Sequence, residues 1–444
     1  MRIGFIAMSG IRAQDPELLK LGLTLPGFVE RSKVVASLPS LGLLTLAALT
    51  AKHHHRQYID VQDLDDPAIS DSVLKEFDLV AISSLSAQIH DAYQLADRAR
   101  ALGVKTVMGG LHVTALPDEA LEHADCAVVG EGEPVWPSLM NDFESGNLQP
   151  IYQSDEEFDL AQAPIPAFEL LDIERYNRLT VQTSRGCNHS CEFCASSILL
   201  TQRYKQKPMA KVLAEIDRIL EIWPRPFIEF ADDNSFVDKN YWRKLLPELA
   251  RRKVRWFTES DLSIAEDPEL LKLMRESGCA QILIGFETPD PHALYGLETR
   301  SDWKVRQVSK YMSAIRNIQS HGISVNGCFI LGLDQQESDC FDAVHNFVDE
   351  SNLHEVQITI QTAFPGTPLY RRLLKADRLL EKHAWETCTL FDINFEPQNM
   401  SVKQLRKGFH ELSGRLYSEE ATRKRKNSFR RTLRDVVRQQ RMSC

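Results

Sequence analysis

Thr183-Ser184-Arg185-Gly186-Cys187-Asn188-His189-Ser190-Cys191-Glu192-Phe193-Cys194 crowds three cysteines into eight residues. A loop this tight can wrap a cubane iron–sulfur cluster, whose irons take thiolate ligands, and three ligands for four irons leave one iron open. Structural zinc wants a closed set of four ligands, and no matching CxxC or HxxxH pair follows downstream. His189 is the residue that would complete a zinc set. Three buried thiols gathered by chance fit poorly with a loop that also carries Arg185, Gly186, Asn188 and Glu192.

The loop leaves an apolar run, Leu179 to Thr183. Five more such runs follow: Phe227 to Ala231, Arg255 to Thr258, Gln281 to Phe286, Val325 to Leu331 and Glu355 to Gln361. Between them lie helical patterns over Met209 to Ile222, Tyr241 to Arg251, Pro268 to Ser277, Asp302 to His321 and Asp339 to Glu350. Six βα repeats fall short of the eight that close a full barrel, so an open, partial (β/α)6 barrel is predicted over 179–362. Its site belongs at the carboxyl ends of the strands. Asp232 and Asp233 stand at one such end, where paired acids more often line the crevice than serve structure. Glu287 stands at another, where its structural role would be to cap the next helix or pair with Arg300. Gly285, Gly327 and Gly332 would permit close packing in a crowded sheet.

Residues 1–150 also alternate strands and helices, which predicts a doubly wound, Rossmann-like α/β sheet. Strands are expected over Arg2 to Met8, Tyr58 to Gln62, Leu79 to Ser83, Lys105 to Met108 and Cys126 to Val129. Small residues follow three of them: Ser84 and Ser86, then Gly109 and Gly110, then Gly130 and Gly132 on either side of Glu131. Such residues at successive strand ends let a large flat ligand approach the backbone. His53, His54 and His55 follow a predicted helix and are expected to meet its carbonyl end and solvent rather than a metal. The proline-bearing stretch 151–178 reads as an extended linker, 363–420 as a mostly helical extension and 421–444 as a basic tail.

The chain has 444 residues, 43% of them hydrophobic and 26% charged, which predicts more than one domain and excludes collagen-like and wholly disordered classes. Nine cysteines and no leader-like N-terminus favour thiols or metal ligands over disulfides and point to the cytoplasm. Leu38 to Ala51, the longest apolar-leaning run, is shorter than the ~20 residues of a membrane span. The net charge of −10 divides into +8 for the tail, where nine Lys and Arg face Asp435, and −18 for the remainder. An acidic body argues against general nucleic-acid binding. The tail reads as a solvated helix or, functionally, as a contact for a membrane surface or carrier protein.

Cys187, Cys191 and Cys194, with Phe193 before the last, resemble the signature of the radical S-adenosylmethionine superfamily. The small-residue rim, with LPSLGLLTLAAL at Leu38 to Leu49, is similar to the cobalamin-binding domain that precedes the barrel in one class of it. Phe364 to Tyr417 is similar to the C-terminal extension of members such as hopanoid methylases. The resemblance implies that the three cysteines hold a [4Fe–4S] cluster whose open iron chelates S-adenosylmethionine. It places Phe193 beside the adenine, Asp232, Asp233 and Asn234 at the methionyl amino group, and Glu259 and Glu287 near the ribose and methionyl ends. Gly327, in GCFILGLD, would line the adenine, although this element ends in Asp334 where Glu is commoner. It implies cobalamin in the first domain, although the DxHxxG element that supplies a histidine ligand to cobalt in classical binders is absent.

The implied activity is C-methylation of an unactivated carbon in a small-molecule or lipid intermediate, through a 5′-deoxyadenosyl radical and methylcobalamin. Flavodoxin or ferredoxin would be the low-potential electron donor. Ring formation, oxidation or rearrangement is the alternative within the class, and a cluster-containing binding or regulatory protein is the alternative outside it.

Overall fold

Two parallel sheets of six strands each organise the chain. The computed structural model describes residues 1–8, 13–20, 38–196 and 203–442. The first sheet contains β1 (Arg2–Met8), β2 (His55–Val61), β3 (Leu79–Ser84), β4 (Lys105–Gly109), β5 (Cys126–Val129) and β6 (Ile151–Gln153), in the order β2-β1-β3-β4-β5-β6. Ile3, Phe5 and Ile6 of β1 are fully buried because helices cover both faces, which is why the strand reads as a continuous apolar run. One covering helix, Leu41–Leu49, starts at Ser40, whose hydroxyl accepts the Leu43 N–H.

The chain then forms β7 (Leu179–Val181), a two-stranded ribbon of β8 (Ser184–Arg185) and β9 (Lys205–Gln206), and β10 (Phe227–Phe230). It continues through β11 (Arg255–Ser260), β12 (Cys279–Glu287), β13 (Ser324–Leu331) and β14 (Glu355–Ile360). The larger strands lie in chain order from β7 to β14, the open (β/α)6 half-barrel expected from the repeats. Alternation sorts their side chains. Ile228, Phe230, Trp256, Ile282, Ile284, Phe286, Phe329 and Ile358 pack outward beneath the helices. The register then leaves Glu229, Glu259, Gln281, Asn326, Cys328 and Gln357 on the opposite, inner face. The barrel lumen is therefore polar.

Two segments differ from their sequence reading. The stretch 151–178 is a packed seam rather than an extended linker: β6 pairs with β5, Phe168 is fully buried in the barrel core, and the Tyr176 hydroxyl meets Asp60 at 3.0 Å. Its prolines break helices without preventing packing. The basic tail is not a solvated appendage either. It forms a helix, Glu419–Met442, that lies against helices Tyr311–Ser320 and Val402–Tyr417 at the amino end of the barrel. Phe429 is 8% exposed with its ring 4.6 Å from the His354 ring at a tilt, and buried Arg425 donates to the Leu416 carbonyl at 2.7 Å. A few well-placed anchors suffice where the sequence shows mostly charge. Phe429→Ala is expected to cost about 3 kcal/mol, read as a lower denaturant midpoint; an unchanged midpoint would mean that the helix is undocked.

Candidate functional site

The cysteine loop rises from β7 and the β8–β9 ribbon. Its base is fixed by Asp232, whose carboxylate accepts the Thr183 and Ser184 N–H groups at 2.7 and 2.9 Å and the Ser235 hydroxyl at 2.9 Å. Asp232 is buried and saturated by these donors, so it anchors the loop instead of facing a ligand. Asp233 accepts the Gly186 N–H at 3.2 Å and the Ser196 hydroxyl, and lines the gap toward the first domain. The Asn234 amide donates to Asn188 at 2.9 Å and to Asp261 at 3.0 Å.

His189 is not poised as a metal ligand. Its two ring nitrogens lie 3.1 Å from Asp261 and 3.1 Å from Glu298, and its ring packs on Trp303. Burial alone would push the Asp261 carboxyl up, but donors from His189, Ser263 and Asn234 hold it well below the usual range. Burial pushes the Cys187 thiol up to about 11 and the Cys191 thiol up to about 12. A metal must supply the positive charge that turns such thiols into thiolate ligands. Tetrahedral zinc would draw its sulfurs to about 3.8 Å from one another. Among the described residues, the only group of three or more potential ligands lying within 4.8 Å of one another is His53, His54 and Glu144, so the three thiols are spread more widely. That spread, with His189 already engaged, fits a polynuclear cluster.

Beside the thiols, Glu287 ends β12 with a left-handed backbone, φ 61°, in a conformation uncommon outside glycine. Its partner is Lys304 at 2.6 Å, not Arg300. Burial would lower the Lys304 ammonium, but Glu287 and the neighbouring Cys191 hold it above its ordinary value. Removing either member of so buried a pair costs about 3 kcal/mol. Lys304 carries no sequence signal, because Asp302 to His321 reads as one helix. It is broken into Trp303–Gln307, a 3-10 turn and Tyr311–Ser320.

Glu259 faces the lumen, where water still reaches it between crowding protein atoms. Burial, with repulsion from Glu229, Asp233 and Glu287, pushes its carboxyl up to about 8. Phe193 packs against the cluster of Leu294, Leu297, Ile330 and Leu333. Gly327 departs from its expected place: it points outward, where a Cβ would meet Leu353 at 2.8 Å and Phe286 at 3.0 Å. The period of two instead turns Cys328 inward, 3.6 Å from the Gln357 side-chain oxygen.

Facing the cysteine loop is the carboxyl rim of the first sheet. A cavity of about 350 Å3 runs between them. Gly109, Gly110, Gly130, Glu131 and Gly132 line one wall, and Gln182, Arg185, Ser196 and Asp233 the other. Ser83 lines it; Ser84 and Ser86 do not, because alternation turns Ser84 away to donate to the Leu85 carbonyl at 2.9 Å. The Glu131 side chain is committed to Arg185 and Lys205 across the gap, at 2.6 and 2.7 Å. Neither Arg185 nor Lys205 carries a sequence signal for this contact, although Arg185 stands two residues before Cys187. His54 bonds Glu144 at 2.7 Å, not a helix carbonyl; its buried Nδ1 has no partner.

A crevice of backbone-exposing glycines joined across one gap to a barrel rim with three thiols defines a class of protein built for two large cofactors. Family models agree with that division: B12 binding domain over residues 30–139, Radical SAM superfamily over 181–348 and a domain of unknown function, DUF4070, over 367–443. The bacteriochlorophyllide d C-12(1)-methyltransferase of Chlorobaculum tepidum is 28% identical over 87% of this chain and 84% of its own. The hopanoid C-2 methylase of Rhodopseudomonas palustris is 30% identical over 78% and 66%. The structure of the radical S-adenosylmethionine methyltransferase TsrM from Kitasatospora setae, with cobalamin and [4Fe–4S] cluster bound, superposes with a TM-score of 0.66 at 15% identity, covering 84% of this chain and 75% of that one. The chain belongs to the B12-binding-domain class of the radical S-adenosylmethionine superfamily.

The Glu259 carboxyl has a testable consequence. Its folded value of about 8 lies above the ordinary 4.5, so the folded protein holds a proton that the unfolded chain has lost between those values. That contribution to stability is present below the unfolded value and drains away as pH rises through about 8. Glu259→Gln is expected to flatten this decline, gaining stability over wild type between pH 5 and pH 9 in denaturant titrations. Parallel pH profiles would show that Glu259 titrates normally.

Proposed function

We infer that the protein is a cobalamin-dependent radical S-adenosylmethionine C-methyltransferase acting on a small molecule, including lipid intermediates. The observation that carries this reading is the gap lined on one side by the glycine rim and on the other by Arg185 and Ser196, which flank the three cysteines. The relatives' names, a methyltransferase and a methylase, support methylation over ring formation, and a full catalytic architecture makes a purely binding role superfluous. When bound, the groups supply a carbon-centred radical, a methyl source and a methyl carrier.

The chain's own residues do the remaining work. Cys187, Cys191 and Cys194 hold the cluster. Lys304 places a fixed positive charge beside Cys191, where it offsets negative charge on the thiolates and can receive a carboxylate. Asp233, Asn234, Glu259 and Glu287 offer acceptors to amino and hydroxyl groups around the rim, with Phe193 as an apolar wall. Gly109, Gly110, Gly130 and Gly132 allow a flat macrocycle close to the backbone, and Ala163, Pro164 and Pro166 of the seam limit water at the gap.

Electrons come from a low-potential flavodoxin or ferredoxin, since a cluster of this type must be reduced before it reacts. A cytoplasmic setting is supported by the eight cysteines among the described residues, none of which forms a disulfide, as suits a reducing compartment. No described helix is long and apolar enough to cross a membrane. Outward arginines of the last helix, including Arg423, Arg430 and Arg434, support contact with an anionic membrane surface or carrier.

Anaerobically reconstituted, reduced protein given S-adenosylmethionine is expected to release 5′-deoxyadenosine, and Cys191→Ala to abolish that release along with cluster iron. A side chain at Gly132 would press on Leu46, whose Cδ2 lies 3.3 Å from a Cβ there. Gly132→Val should weaken cobalamin retention by about tenfold, equivalent to ~1.4 kcal/mol of crowding, with cluster iron unchanged. Undiminished retention would place cobalamin elsewhere.

A further inference from the structure

We propose that Arg185 is a positioning residue whose bridge to Glu131 and Glu133 sets the spacing between the cobalamin and cluster sites. The proposal rests on the functional reading above. It reassigns the Glu131 side chain from cofactor contact to inter-domain clamp. Arg185 Nη1 lies 2.6 Å from Glu131 Oε1, and Nη2 lies 2.7 Å from Glu133 Oε1. Lys205 Nζ shares the Glu131 carboxylate at 2.7 and 3.0 Å and also donates to the Phe158 carbonyl at 3.1 Å. The Phe158 N–H returns to Glu131 Oε2 at 2.7 Å. Two cations meet two carboxylates, and none of the four side chains is more than 17% exposed.

The placement of the four is what gives the bridge a purpose. Arg185 and Lys205 are cross-strand neighbours in the β8–β9 ribbon, the two stalks from which the cysteine loop emerges. Glu131 and Glu133 belong to the Gly130–Glu133 turn, whose backbone lines the cavity from the first domain. Both stalks of the cluster-bearing loop are thus tied to one carboxylate on the cobalamin-facing turn. The guanidinium fork reaches two carboxylates in a fixed plane, which a flexible ammonium does not. Group transfer between two held cofactors needs their separation fixed to a fraction of an ångström, and a bridge of short, water-poor ion pairs is stiff enough to fix it.

The test uses holoenzyme reconstituted with cluster and cobalamin, comparing wild type with Glu131→Gln and Arg185→Lys, which keep size or charge. The expected result is wild-type iron and cobalamin content in both variants, with a weakened and heterogeneous magnetic interaction between reduced cluster and cobalt(II) in paramagnetic resonance. Methylated product per 5′-deoxyadenosine should fall by about tenfold to a hundredfold. If Glu131→Gln does not fold, Arg185→Lys alone decides. A native interaction and product ratio in the folded variants overturns the proposal, as does loss of cobalamin with the cluster intact, which would return Glu131 to direct cofactor contact. Wild type that takes up no cobalamin overturns the functional reading itself.

Discussion

Carboxylates crowd the strand ends where the two sheets meet, and their burial is tolerable because cations and hydrogen-bond donors are buried with them. Asp233, Glu287 and Glu298 act on the cluster thiols, Asp232, Glu259 and Asp261 stand at neighbouring strand ends, and Glu131 and Glu133 line the gap from the first domain. Against these stand Lys304, His189, Arg185 and Lys205. At an effective dielectric of 20 a pair of charges 4 Å apart is worth about 4 kcal/mol, so each missing cation would leave an acid that must take a proton. Glu259 has no ion-pair partner and is repelled by Glu229, Asp233 and Glu287, and its carboxyl rises; the Asp232 carboxyl also rises with burial, and donors from Thr183, Ser184 and Ser235 work against that rise. A rim of acids suits a cationic partner, and a sulfonium compound is one.

The same balance extends to the third part of the chain. Glu119 of the first domain accepts from Tyr93 and from the Trp385 indole at 3.0 Å each, and lies 3.2 Å from His112. Burial works against its ionisation, yet those donors hold its carboxyl down at about 2. Trp385 and Cys388 thereby join the first domain's core although they lie far along the sequence. Arg372 reaches back to Glu192 in the cysteine loop and to Asp334 after β13. The C-terminal extension is therefore a brace across both domains.

Much of this was legible in the sequence. Every strand of the barrel sheet follows from apolar periodicity, and the cysteine spacing announces its own chemistry. Side-chain direction at strand ends was harder to read. Ser84 and Gly327 were one residue out of phase with the positions that face the ligand side, Ser83 and Cys328, because a strand's exit phase depends on where pairing stops. Asp232 and Asp233 look equivalent in sequence, yet one anchors backbone and the other faces the gap. Lys304, Arg185 and Lys205 left no pattern because their partners are remote in the chain. The tail misled through composition: a helix with nine basic residues docks through Phe429, Leu433 and the aliphatic stem of Arg425.

The central claim is that three thiols hold a cluster with one iron free for S-adenosylmethionine. Paramagnetic resonance of the anaerobically reconstituted, reduced protein tests it most directly. The account predicts a [4Fe–4S] signal whose g values shift when S-adenosylmethionine is added. Bound zinc, or a cluster spectrum indifferent to the added compound, would contradict it.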